Sequence, residues 1–98
     1  MELTSKQRAY LKSLASDLDC IVQIGKGSLT PELTEAVNET FNKRELIKVN
    51  VLKNCLDDPR AIAEALAERT HSTVVMVIGR KIVLYKENKD NKKIELPG

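Results

Sequence analysis

Three helix-start signals divide this 98-residue chain into alternating helical and extended segments. Thr4 is followed three residues later by Gln7, which is the pattern of a capping box. Thr30 precedes a proline and a glutamate, and Asp58 precedes a proline; both patterns are typical of a helix N-terminus. Because a β-rich run follows each helical segment, the chain is constrained to alternate between the two kinds of structure.

Apolar residues recur at helical spacing after each signal, so three amphipathic helices are predicted. The stripes consist of Leu11, Leu14, Ala15 and Leu18 in the first helix, Leu33, Val37 and Phe41 in the second, and Ile62, Ala65 and Leu66 in the third. The second helix is predicted to run to about Asn42, and the third to end near Thr70.

Four runs of β-prone residues predict strands. They read CIVQI (20–24), LIKVNVL (46–52), TVVMVI (73–78) and KIVLY (81–85). In the second run Ile47, Val49 and Val51 alternate with polar residues, so one face of that strand is predicted to be open, basic and polar. Gly79 and Arg80 separate the last two runs, and a two-residue Gly-X connection suits a type II′ hairpin.

The predicted fold class is α/β, in one compact domain over residues 1–98 with the order α-β-α-β-α-β-β. Helical crossovers imply parallel pairing among the first three strands, and the hairpin adds one antiparallel strand, which gives a four-stranded mixed sheet. The helices are too few to cover both faces, so part of the sheet is expected to stay open to a partner. A polar tail over about 87–98 carries Ile94 and Leu96, which could dock on the core.

The composition excludes several classes of protein. Hydrophobic residues make up 42% and charged residues 31%, which suits a globular rather than a disordered chain. No apolar run approaches the ~20 residues of a membrane span, and the polar N-terminus lacks the apolar stretch of a secretory signal. We therefore expect a cytoplasmic protein with no membrane association.

The sequence offers no constellation for catalysis or metal binding. Cys20 and Cys55 are far apart, with His71 as the one further soft ligand, whereas zinc sites normally take four ligands at tight spacings. We interpret Asp57 and Asp58 as negative charge that stabilises a helix N-terminus rather than as a catalytic pair of carboxylates. We expect a non-enzyme with no catalytic residue, metal or cofactor.

The stretch VQIGKGSLTPE (22–32) places two glycines and a lysine between a strand and a helix start. It lacks the G-x-x-x-x-G-K-[ST] spacing of a phosphate-binding loop, and G-x-G alone is a weak dinucleotide signal. Two interpretations stay open. The exposed backbone N–H groups, the lysine and the serine could contact nucleic-acid phosphates, or the loop could be a turn that needs a positive φ.

Three motifs, VQIGKGSLT, RELIKVNVL and VIGRKIVLYKENK, occur here in an order and spacing that resemble the YhbY-like family of bacterial RNA-binding proteins. The tail NKKIELP also resembles the YqeI type within that family. This family is the stand-alone form of the CRM domain, named for chloroplast RNA splicing and ribosome maturation. The resemblance implies a fold like the C-terminal domain of translation initiation factor three. It also implies RNA binding and a role in assembling the large ribosomal subunit on its precursor ribosomal RNA.

The family's Gly-x-x-Gly loop, analogous to the loop by which KH domains clamp backbone, carries over to Gly25, Lys26, Gly27 and Ser28. Ser28 departs from the pattern, because the family usually has glycine at the fourth position. If that position needs a positive φ, serine costs roughly 1 kcal/mol there. The hypothesis is one basic RNA-binding surface formed by Lys26, Arg44, Lys48, Arg80 and Lys86, with Lys81 in the same hairpin motif.

The expected partner is RNA, with precursor large-subunit ribosomal RNA as the specific candidate and a monomer as the binding form. Tyr85 either stacks on a base or belongs to the core, and the aromatic content of 3% favours recognition by shape and charge. The alternative function is a protein-binding adaptor that uses an exposed sheet surface.

Overall fold

The computed structural model describes residues 2–90 and 92–98; Met1 and Asn91, which belong to the predicted domain and its tail, lie outside the described residues. Within these ranges there are three helices, α1 (Ser5–Ala15), α2 (Pro31–Phe41) and α3 (Pro59–Thr70). The strands of the described ranges are β1 (Val22–Ile24), β2 (Leu46–Val51), β3 (Thr73–Ile78) and β4 (Lys81–Tyr85). The predicted α-β-α-β-α-β-β order is confirmed.

All three predicted helix starts are confirmed. The Thr4 hydroxyl accepts from the backbone N–H of Gln7 at 3.1 Å, and the Gln7 side chain accepts from the Thr4 N–H at 3.1 Å. Thr30 caps α2 through the N–H of Leu33, and Asp58 caps α3 through an N–H two residues on. These bonds satisfy backbone donors that a helix leaves without partners at its first turn.

Three element boundaries differ from the prediction, the smallest difference being that β2 ends at Val51 rather than Leu52. α1 ends at Ala15 rather than reaching Leu18, whose N–H bonds the Ala15 carbonyl at 3.0 Å in a turn. Leu18 still packs on the core from that turn. β1 begins at Val22 rather than Cys20, because its pairing with β2 begins with Val22.

The sheet order is β1-β2-β4-β3, which corrects one predicted pairing. β1 and β2 are parallel as predicted, but β2 and β3 do not pair, because β4 lies between them and is antiparallel to both. The four residues of β4 from Ile82 to Tyr85 are all buried, whereas β3 is mostly half-buried. The strand with apolar residues on both faces therefore occupies the centre of the sheet.

The hairpin between β3 and β4 has the predicted two-residue connection. Ile78 pairs with Lys81, and Gly79 has a φ of +58°, which a type II′ turn needs at its first central position. A bulge interrupts β3 between Val74 and Met76. The Arg8 guanidinium donates to the carbonyls of Val74 and of the bulged residue after it, so α1 is tied to the bulge.

The core lies on both faces of the sheet. α2 and α3 pack on one face against β-strand residues that include Ile24, Val49 and Ile82. α1 packs on the other face around Leu11, and the tail residues Ile94 and Leu96 join the same cluster as predicted. The sheet is therefore covered on both faces over part of its length, more fully than predicted.

A buried carboxylate holds the tail against the sheet. Glu45 is 2% exposed, and its oxygens accept from the backbone N–H groups of Asn88 at 2.9 Å, Lys93 at 2.6 Å and Ile94 at 2.7 Å. Burial acts to raise the pKa of Glu45, but the three N–H donors and the Lys92 charge outweigh it, and the pKa lies below its ordinary value. The ionised side chain is thus the form that fits the fold.

Candidate nucleic-acid interface

Three connecting segments converge at one end of the sheet, because β1, β2 and β3 end there and β4 begins there. We call this region the glycine-loop end, and it comprises Gly25–Ser28, Leu52–Asn54 and Gly79–Arg80. The Leu52 N–H donates to the Ile24 carbonyl at 2.8 Å, and the Arg80 guanidinium donates to the Leu52 carbonyl at 3.0 Å. The three segments are therefore linked through residue 52.

The glycine loop is a tight turn with its left-handed residue at the fourth position. The Ser28 N–H bonds the Gly25 carbonyl at 2.9 Å, and Ser28 has a φ of +56°. Its hydroxyl donates a hydrogen bond to the Asp57 carboxylate, which belongs to the loop before α3. The fourth position of the loop therefore does have a positive φ, and a serine adopts it here with a tertiary hydrogen bond.

The two glycines of the loop are not required by the chain's own packing. Neither Gly25 nor Gly27 has a φ in the left-handed region. A Cβ on Gly25 would lie 3.5 Å from the Asn54 Oδ1, and one on Gly27 would lie 3.7 Å from the Thr30 Cγ2, which are ordinary contacts. Because Gly25 and Gly27 have no side chains, the outer backbone surface at Lys26 and Gly27 can be approached closely by a ligand.

Four exposed cations belong to this end of the sheet or adjoin it in sequence. They are Lys26, Lys53, Arg80 and Lys81, and the Lys81 Nζ lies 3.6 Å from the Cys20 Sγ, on the segment before β1. None has an ion-pair partner in the part of the chain that the structure describes, where the ion pair found is Lys92 with Glu87 at 3.8 Å. The nearby carboxylates Asp57 and Asp58 accept hydrogen bonds from the Ser28 hydroxyl and from the first turn of α3 but keep their negative charge, so the cations outnumber the carboxylates here by four to two. Unpaired cations around an open backbone give this end a positive potential.

Lys48 has a different position from the one predicted. It is half-buried, and its Nζ lies 3.4 Å from the carbonyl oxygens of Ala15 and Leu18, at the end of α1. A cation at a helix C-terminus interacts favourably with carbonyls that lack partners and with the helix dipole. Lys48 therefore attaches α1 to the sheet as well as facing the surface.

Arg44 and Lys86 lie at the other end of the sheet from the glycine loop. Arg44 precedes β2 and Lys86 follows β4, next to the pair Leu46 and Tyr85. Six residue steps along β4 separate Lys86 from Arg80, which is roughly 20 Å in an extended strand. The structure thus places Lys26 and Arg80 at the glycine-loop end with Lys81 next in sequence, and leaves Arg44 and Lys86 at the opposite end.

Tyr85 is a core residue. It is 1% exposed and packs in the cluster under α1, so it is not available for base stacking. Burial raises the pKa of its hydroxyl, and the charges of Glu45 and Glu87 raise it further.

A row of four side chains crosses the sheet on the face that carries α1, and of these only Lys81 is a site residue predicted from the sequence. Gln23, Asn50, Lys81 and Ile78 are register partners, one from each strand, and we call them the open strip. Gln23 and Lys81 are exposed, Ile78 is 61% exposed and Asn50 is half-buried. Gln23 could have been found from its position between the core residues Val22 and Ile24, whereas Asp57 carries no local signal of its contact with Ser28.

Other kinds of site find little support in residues 2–90 and 92–98. No cluster of His, Cys, Asp and Glu within those residues could hold a metal ion, and no helix there is long and apolar enough to cross a membrane. Cys55 is buried, Cys20 is half-buried, and His71 is an exposed residue just after α3.

The comparisons with known proteins agree with this architecture. The family model described as the CRS1 / YhbY (CRM) domain matches residues 3–86. The Bacillus subtilis (strain 168) protein named "Probable RNA-binding protein YqeI" is 48% identical over 95 residues, covering 97% of this chain and 99% of that protein. A Haemophilus influenzae protein named "RNA-binding protein" is 34% identical over 95 residues, covering 97% of this chain and 95% of that protein.

A solved structure is similar over the same length. The solution structure of the Staphylococcus aureus protein SAV1595 matches with a TM-score of 0.82 and 51% identity, covering 98% of this chain and 100% of that one. Sequence and fold therefore lead to the same assignment: this chain belongs to the CRS1 / YhbY (CRM) domain family.

Proposed function

We propose that this chain is an RNA-binding protein that holds RNA at the glycine-loop end of its sheet. The observation that carries the proposal is the open backbone of Gly25–Ser28 among the unpaired cations Lys26, Lys53, Arg80 and Lys81. Two relatives, 48% and 34% identical to this chain, are named as RNA-binding proteins. Their names support the same conclusion.

The chemistry proposed is phosphate binding without catalysis. Backbone N–H groups of the loop and the first turn of α2, which starts after Thr30, present partial positive charge to a phosphate. Lys26 adds a full charge at the loop tip, and Arg80 is held at the same end of the sheet by its bond to Leu52. Contacts of this kind are made to the RNA backbone, so binding should weaken as salt increases.

The specific RNA proposed is precursor ribosomal RNA of the large subunit, with the protein acting as an assembly factor in the cytoplasm and binding as a monomer. The test is sucrose-gradient fractionation of a gentle cell extract. Wild-type protein should migrate with large-subunit precursors, and a Lys26→Ala/Lys81→Ala variant should move to the top of the gradient. The control, Lys6→Ala/Lys89→Ala, makes the same charge change on α1 and the tail and should migrate like wild type.

If the wild-type protein is recovered only at the top of the gradient, the assembly role is contradicted. RNA binding would then be tested separately with purified RNA.

One observation favours a second function, a protein-binding adaptor. Leu56 is 96% exposed in the loop before α3, and an apolar side chain in that position could contact a protein. The open strip supports this function less, because three of its four side chains are polar. An association that survives nuclease treatment and is lost in Leu56→Ser would support the adaptor over the RNA-binding protein.

A further inference from the structure

The open strip presents two adjacent amide side chains to solvent. Gln23 and Asn50 are register partners in the parallel pair of β1 and β2, about 4.8 Å apart across the sheet. Neither side chain makes a hydrogen bond to another of the described residues. Asn88 differs from them, because its side chain donates to the Asn42 carbonyl at 3.2 Å. The strip amides therefore keep both their donors and their acceptors available.

The strip is continuous with the glycine-loop end. Gln23 is two residues before Gly25, and Asn50 is two residues before Leu52. Lys81 is both a member of the strip and the neighbour of Arg80. A polyanion held at the loop can thus continue over the strip without leaving the positive region.

We infer that the open strip binds the base of an unpaired RNA nucleotide, with Gln23 and Asn50 hydrogen bonded to the base edge while the adjoining phosphate lies at Gly25–Ser28. This inference rests on the RNA binding proposed above and adds a source of base preference to it.

The chemistry of the strip favours a base over a phosphate. Neutral amides pair with the mixed donors and acceptors of a base edge, as Asn and Gln do with adenine. Phosphates are matched better by the lysines and the backbone N–H groups beside the strip. Ile78 at the far edge offers an apolar surface to a base face, and Lys81 lies between it and Asn50.

The nucleotide must be unpaired. In an A-form duplex the major-groove edges of the bases are inaccessible to side chains, and sequence-specific recognition of RNA is made mainly to loops, bulges and ends. The strip spans the three gaps between four strands, about 14 Å. That width suits one or two nucleotides. Base preference then comes from hydrogen bonding, which requires no aromatic side chain, and none of the four residues of the strip is aromatic.

The experiment compares affinities for four RNA hairpins with one common stem and loops made of adenosine, cytidine, guanosine or uridine. Wild-type protein should bind the best loop about tenfold or more tightly than the worst. The Gln23→Ala/Asn50→Ala variant should bind all four within about twofold. Its affinity for the fully paired stem should stay at the wild-type value, because the phosphate contacts are kept.

Three further variants separate the effect of the strip from effects on folding and on the glycine loop. Gln23→Ala alone changes an exposed side chain and should reduce the preference even if the double variant folds poorly. Asn38→Ala removes a half-buried amide on α2 and should leave the preference intact. Lys26→Ala should weaken binding to all four loops by a similar factor.

The outcomes separate this inference from the proposed function. Equal wild-type affinities for the four loops, together with weaker binding by Lys26→Ala, would overturn the strip inference and leave RNA binding in place. A preference that persists in Gln23→Ala/Asn50→Ala would also overturn it. Failure of the wild-type protein to bind any of the hairpins or the stem would overturn both.

Discussion

The hydroxyl of Ser28 donates a hydrogen bond to the carboxylate of Asp57, across 29 positions of sequence. The bond joins the glycine loop after β1 to the loop that leads into α3. Ser28 is also one of the non-glycine residues with a positive φ, +56°. A tertiary contact thus accompanies the departure from glycine at the fourth position of the loop.

We expect Ser28→Ala to be less stable than Ser28→Gly. Alanine loses the bond to Asp57 and keeps the left-handed strain, whereas glycine loses the bond but removes the strain, a difference of about 1 kcal/mol. Urea unfolding of both variants measures it. An alanine variant as stable as the glycine variant would show that the loop changes its conformation when the bond is removed.

We expect Lys26→Ala to weaken RNA binding and to reduce its dependence on salt. Loss of one phosphate contact should lower the slope of log affinity against log salt by about 0.7–0.9. Lys89→Ala, which changes an exposed lysine of the tail, is the matched control and should keep the wild-type slope. Equal slopes for wild type and Lys26→Ala would argue that no phosphate lies at the loop tip.

We expect Lys48→Met to lower the free energy of unfolding by about 0.5–1 kcal/mol at low salt, because the charge at the end of α1 is lost while the apolar stem is kept. The loss should shrink as added salt screens the interaction. Lys12→Met, at an exposed lysine in the last turn of α1, should cost less. A full RNA-binding defect in Lys48→Met with unchanged stability would assign Lys48 to the RNA rather than to the helix.

We expect the stabilisation by Glu45 to depend on pH. Its pKa in the fold is lowered from 4.5, so the ionised side chain stabilises the fold above that pH. The stabilisation is lost as the pH falls through the lowered value. The stability difference between wild type and Glu45→Gln should therefore be largest above about pH 5 and decrease in acid.

The measurement is urea unfolding of both proteins from pH 3 to 7, with Glu64→Gln on the exposed side of α3 as the control. A difference that stays constant over this range would mean that the charge of Glu45 does not hold the tail. Amide exchange at Ile94 gives an independent readout, since its N–H donates to that carboxylate.

Local chemistry allowed much of the fold to be predicted from the sequence. The side chains of Thr4, Thr30 and Asp58 accept hydrogen bonds from backbone N–H groups no more than three residues away. These helix caps can therefore be predicted from short stretches of sequence. The same holds for the Gly79 turn, whose φ requirement is local. The alternation in β2 also predicted correctly that Ile47, Val49 and Val51 share a buried face, although Leu46 on the opposite face is buried as well.

Long-range contacts could not be predicted in this way. The insertion of β4 between β2 and β3 depends on how the whole sheet is covered, and the sequence order alone favoured direct pairing. Lys48 was assigned to an open face because the end of α1 lies 30 and 33 positions away in sequence. Glu45 gave no local sign that it would accept three N–H groups from the tail.

The most direct test of the central claim is the change in backbone amide NMR signals when RNA is added to the isotope-labelled protein. A hairpin from large-subunit ribosomal RNA with an unpaired loop is a suitable ligand. We predict that the largest changes fall on Gly25–Ser28, Leu52–Asn54 and Gly79–Lys81, with Gln23 and Asn50 following. Changes centred instead on Arg44 and Lys86, at the other end of the sheet, would contradict the account.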